Sequence, residues 1–173
     1  MAVTNKQLLD MHKRALDTIR AAIDGLDRES LCWCEPETGQ WIAQEVSHLC
    51  NTERYWIEEE GIDPQLDTCP ELPSSLEEEL RYLWCVEQRW VELLPTNPGL
   101  RYALFRVCLH ALYHLARIAH LRRHQQSGWR LPDWSEPGSW EYATDPIIHV
   151  MLADQPQDVD LPATSGYKSD TLT

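Results

Sequence analysis

The chain lacks any apolar run long enough to cross a bilayer. A spanning helix needs roughly 18 to 20 consecutive apolar residues, and no stretch of the 173 residues approaches that. No secretory leader is expected either, because residues 1–13 carry charges and amides where such a signal needs a hydrophobic segment. A cytoplasmic location is therefore the expectation. Basic charge is scarce: 15 Lys and Arg stand against 28 Asp and Glu, for a net charge of −13. Phosphate binding needs a basic face, so neither nucleic acid nor membrane is an expected partner. The local cluster Arg117, Arg122 and Arg123 reads as a solvated helix face. Internal repeats, low-complexity tracts and long period-two alternation are absent too. Cysteine is present, with six residues, but Cys32 and Cys34 have no second pair to complete a zinc site. Cys50, Cys85 and Cys108 fall at apolar helical positions, where a reduced thiol packs as a small hydrophobe.

What is there is helical periodicity. A hydrophobic content of 43% supplies a core for one domain. Thr4 and Gln7 form a capping box ahead of Leu8, Ala15, Ile19, Ala22 and Leu26, which predicts a first helix over residues 5–26. Ile42, Val46, Leu49, Trp56 and Ile57 share one face of a second, over about residues 40–60, which Gly61 and Pro64 stop. Ser74 and Glu77 repeat the capping pattern before Leu76, Leu80, Leu83, Trp90 and Leu94, the third. Residues 95–99 make a tight connection, with Asn97 a candidate cap and Pro98 suited to a first turn. A fourth helix then runs over about residues 98–126 to Ser127-Gly128. The fold class is all-α, a four-helix bundle. The predicted domain covers residues 1–152 and includes a C-terminal coil with Trp129, Trp134 and Trp140 packed over the bundle. Residues 153–173 are polar and predict a flexible tail.

Two histidine pairs have the i, i+4 spacing that stacks imidazoles on one helix face: His110 with His114, and His120 with His124. Helical phase separates them. At about 100° per residue, His110 and His114 border the apolar arc of Leu104, Val107, Cys108, Ala111, Leu115 and Ala119. His120 and His124 fall beside Arg106 and Arg117 on the wet face and read as surface histidines. On the second helix His48 borders the arc of Ile42, Val46, Leu49 and Ile57. Three neutral imidazoles with an open fourth position suit Zn²⁺, Ni²⁺ or Fe²⁺, although three border histidines without metal fit the spacing equally well. Glu53 falls inside the apolar arc, where a carboxylate must be paired. It is the candidate catalytic base, or else it orients a ligand imidazole or pairs with an arginine of a neighbouring helix. His12 points inward among Leu8, Leu16 and Ile19 as a spare ligand candidate, and His149 stands alone in the coil.

The segment Trp41-Ile42-Ala43-Gln44-Glu45-Val46-Ser47-His48-Leu49-Cys50-Asn51-Thr52-Glu53 resembles the Trp…His-Leu…Glu segment of the DinB/YfiT-like family of metal-binding four-helix bundles. His110-Ala111-Leu112-Tyr113-His114 and the residues after it resemble that family's His-x-x-x-His-Arg-Gly-Gln-Ile segment, with Leu115, Ala116 and Arg117 standing where the family has Arg-Gly-Gln. The likeness covers residues 5–127. It implies a divalent metal ion on His48, His110 and His114. It also implies a metal-dependent low-molecular-weight-thiol S-transferase that activates a bound thiol toward a small-molecule substrate. A metal-dependent hydrolase with Glu53 or Glu45 as base is the alternative, and a non-enzymatic metal-binding stress-response module is a third reading. A homodimer is implied by the likeness alone.

Overall fold

The computed structural model describes residues 3–130, and every regular element among them is helical. These elements are α1 (Asn5–Ile23), α2 (Arg28–Leu31), α3 (Ile42–Glu59), α4 (Leu76–Leu93) and α5 (Leu100–Gln125). The all-α expectation holds for them. Trp134, Trp140, His149 and the expected tail of residues 153–173 lie outside the described residues.

The local chemistry explains most boundaries and corrects three. Thr4 caps α1 through the reciprocal box with Gln7. The helix stops at Ile23 rather than running to residue 26, and Gly25 then takes φ +69°, a conformation open to glycine without cost. Asp27 accepts from the Ser30 amide and starts the four-residue α2, which is too short to show a period. The cap of α4 is Ser75, one residue later than the sequence pattern suggests, while Ser74 is bonded by the Glu78 carboxylate. Asn97 does not cap α5. Its Nδ2 donates to the Leu93 carbonyl at 2.9 Å, closing the end of α4, and α5 begins after Gly99.

Cross-helix bonds fix the directions. The Arg101 guanidinium donates to the Val3 carbonyl, and Arg122 Nη1 donates to the carbonyls of Ala22 at 3.1 Å and Asp24 at 3.0 Å. The two starts and the two ends of α1 and α5 therefore lie together, and the helices are parallel. Arg122 is buried and supplies donors to the last carbonyls of α1, so it is not part of a solvated face. Arg20 donates to Glu87 at 2.7 Å and to the Leu83 carbonyl at 3.0 Å, while His12 faces Trp90, so α4 runs antiparallel to α1. The pairings of Glu45 with Arg117 and of Trp56 with Arg106 set α3 antiparallel to α5.

It follows that α3 and α4 point the same way, and the chain must travel back the length of α3 between them. Residues 60–75 do this without regular structure, and side chains satisfy their backbone. Asn51 exchanges two 2.9 Å bonds with the Cys69 backbone, Ser47 Oγ donates to the Cys69 carbonyl at 2.9 Å, and Trp41 Nε1 donates to the Glu71 carbonyl at 3.1 Å. Leu8, Leu16, Ile19, Ile42, Leu49, Ile57, Leu83 and Trp90 fill the space between the helices. All six cysteines are free thiols.

Glu79 of α4 is fully buried in that core, and its Oε1 has no partner among the described residues. Burial pushes its carboxyl up to about 8, and the Glu78 charge adds to the shift. Because the folded value lies above the unfolded one, the protonated acid contributes its stability below about pH 4.5, and that contribution is lost as pH rises through about 8. Glu79→Gln keeps the shape and removes the ionisation. It is expected to gain on the order of 2 kcal/mol over wild type at pH 7.5 and little at pH 4.5. Urea unfolding at both pH values checks this, and an identical pH response in the two proteins would refute the assignment.

Candidate metal centre

The antiparallel packing of α3 on α5 brings His48 opposite the pair one turn apart on α5. The metal-ligating atoms of His48, His110 and His114 all lie within 4.8 Å of one another. The His110 and His114 Nε2 atoms are 2.9 Å apart, and the His48 ring centroid is 5.3 and 5.0 Å from theirs. His114 is buried at 4% exposure, His110 is half-buried and His48 is exposed. The three imidazoles thus run from the floor of a cleft to its mouth. That cleft holds about 540 Å³ and is lined otherwise by polar groups, among them Gln40, Gln44, Glu71, Tyr113 and Arg117.

Electrostatics favour the uncharged rings that a cation requires. Burial pushes His110 down to about 4, and the neighbouring His114 and His48 push the same way. Burial lowers His48 too, with the His114 and Arg117 charges pushing the same way and Glu45 opposing them. The donor chemistry fits a divalent cation of the zinc, nickel or iron type: three imidazoles, with cleft space for a further ligand. Held there, these three residues could bind one metal ion.

Behind His114 stands a second layer that the sequence hardly announced. His114 Nδ1 lies 2.7 Å from Glu45 Oε2, Arg117 Nη2 lies 2.8 Å from Glu45 Oε1, and Arg117 Nη1 donates to the Tyr113 hydroxyl at 2.7 Å. Burial alone would raise the Glu45 carboxyl. The His114 bond and the Arg117 charge win, and hold it below the usual carboxylate range. Arg117 is therefore committed to the site rather than to solvent. The spacing held a signal: Glu45 precedes His48 by three residues and Arg117 follows His114 by three, so each shares its ligand's helix face.

Glu53 is placed elsewhere. Its Oε2 lies 2.8 Å from His12 Nε2 and accepts from Trp90 Nε1 at 2.8 Å, with both acid and imidazole at or near zero exposure. The candidate catalytic base and the spare ligand are thus paired with each other in the core, and neither lines the cleft. The partner expected from an arginine is a histidine and an indole. His120 and His124 are on the exposed face of α5, as phase indicated, with His124 3.7 Å from Glu35. Trp129, from the expected coil, lies under the Arg122 guanidinium at 5.4 Å.

The geometry thus defines a three-histidine cluster able to hold a divalent cation in a polar cleft. Comparison with known proteins finds no matching family model, no matching curated protein and no matching solved structure. No helix of the described residues is long and apolar enough to cross a membrane.

Proposed function

We propose that the chain is a DinB-like four-helix bundle that binds one divalent cation on His48, His110 and His114 and transfers a low-molecular-weight thiol to a small electrophilic substrate. The observation that carries the reading is the convergence of three imidazoles from two helices along the wall of an open cleft. A cation there would lower the pKa of a thiol entering the remaining position. The chain's own residues do the rest. His114 is oriented by Glu45, and the polar cleft wall offers amides at Gln40 and Gln44 to a substrate. Both Glu45 oxygens are occupied, by His114 and Arg117. No free carboxylate stands beside the imidazoles on α3, and a thiolate nucleophile needs none.

A metal-dependent hydrolase is the second reading, and Glu71 favours it, since this exposed residue lines the cleft where a base could act on water. One assay separates the two. Purified protein is offered electrophiles with and without a thiol cosubstrate, and separately a panel of esters and amides. Thiol-dependent turnover is expected, falling by two orders of magnitude or more, about 3 kcal/mol, on chelation and in His48→Ala. Thiol-independent hydrolysis that is lost in Glu71→Gln would instead establish the hydrolase. Turnover undiminished by chelation would remove both. The homodimer implied by the same likeness is tested by sedimentation of that protein.

A further inference from the structure

The bond between His114 and Glu45 settles more than orientation. A carboxylate only accepts. Both Glu45 oxygens are engaged, Oε1 by the Arg117 guanidinium at 2.8 Å and Oε2 by His114 Nδ1 at 2.7 Å, in a pocket where Glu45 is 3% exposed. The proton in the second contact must therefore sit on His114 Nδ1. In a neutral ring this leaves Nε2 with a bare lone pair, and that atom faces His110 Nε2 at 2.9 Å. Among the described residues nothing comparable holds the other two rings. His110 Nδ1 is buried without a partner, and His48 Nε2 has only the Thr52 hydroxyl at 3.4 Å.

We infer that Glu45 is a positioning residue that presets His114 in the Nδ1–H tautomer, with Arg117 holding the carboxylate in place, so that His114 is the one prearranged donor of the centre. In the cation-free protein His110 Nε2 then carries its proton toward His114 Nε2, and His110 must change tautomer to become a donor itself. Its unpartnered Nδ1 leaves it able to do so. The consequence for metal affinity rests on the cation reading above, whereas the tautomer does not.

Glu45→Gln tests this with almost no change of shape. A carboxamide has one acceptor oxygen where two donors converge. The charged guanidinium is the stronger claimant, so the amide NH₂ turns to His114 Nδ1, which must then accept. The proton moves to Nε2, the atom a cation would need. Long-range ¹H–¹⁵N correlation of the cation-free protein at pH 8 should show His114 protonated at Nδ1 in wild type and at Nε2 in Glu45→Gln. Zinc affinity, measured by competition with a chromophoric chelator, should fall about 10- to 100-fold in the variant, while thermal unfolding shows it folded. Arg117→Met, which leaves the carboxylate intact, should keep the wild-type tautomer. An Nε2-protonated His114 in wild type would overturn the inference, and so would an unchanged tautomer in Glu45→Gln. If wild type binds no zinc, the cation reading fails by itself, and the tautomers still decide this point.

Discussion

Removing both α5 imidazoles, in His110→Ala/His114→Ala, is expected to weaken zinc binding by about 10⁴-fold and leave purified protein with almost no stoichiometric metal. A four-ligand zinc site is worth roughly 10 to 16 kcal/mol, about 3 per ligand. Losing two therefore removes about 6 kcal/mol, which is four decades of affinity. Alanine is the best helix former, so α5 should persist and the loss should not be a loss of helix. The control lies on the same helix. His120 and His124 have identical spacing and nearly the same ring separation, 4.3 Å between centroids in each pair. They are exposed and do not line the cleft that holds His48, so His120→Ala/His124→Ala should bind zinc like wild type. Elemental analysis of the three proteins is sufficient. Equal metal in all of them would mean that the convergence of His48, His110 and His114 is not a metal site.

That contrast shows how far sequence could go. Period and phase are properties of a single helix, so they separated His114 from His120 and placed His48 and Glu53 correctly relative to the apolar arcs. What a buried group meets on another helix depends on direction and neighbour, which phase does not encode. Glu53 was recognisably buried, yet its partners came from α1 and α4 because residues 60–75 return the chain and make α4 parallel to α3. Arg122 looked like one charge of a surface cluster because its reach to the Ala22 and Asp24 carbonyls exists only once α1 and α5 lie parallel. Arg117 was hidden for the same reason, since its carboxylate sits on α3. At the boundaries the failures were chemical ties: two adjacent serines before α4 offer the same cap, and Asn97 can serve either the helix it follows or the one it precedes.

The His12–Glu53–Trp90 group supplies the second large effect, and it acts on stability rather than on metal. His12 is 1% exposed and Glu53 0%. His12→Ala removes the imidazole, leaves the Glu53 carboxyl with the indole as its remaining partner, and opens a cavity at the contact of α1 with α3 and α4. Breaking a buried pair from one side costs about 3 to 5 kcal/mol, which lowers the melting temperature by on the order of 10 °C for a chain of this size. Glu53→Gln should cost far less, about 1 kcal/mol, because both contacts fall on Glu53 Oε2 and an amide oxygen there still accepts from Trp90 Nε1 and from a His12 Nε2–H. Neither change touches the cleft, so both variants should retain full zinc stoichiometry. The comparison also decides what Glu53 is for. If it is a core residue, turnover in Glu53→Gln follows the folded fraction and nothing else. Turnover falling by orders of magnitude in a Glu53→Gln protein of unchanged melting temperature would return Glu53 to the catalytic role its sequence position suggested, and would require the core around Trp90 to open during the reaction.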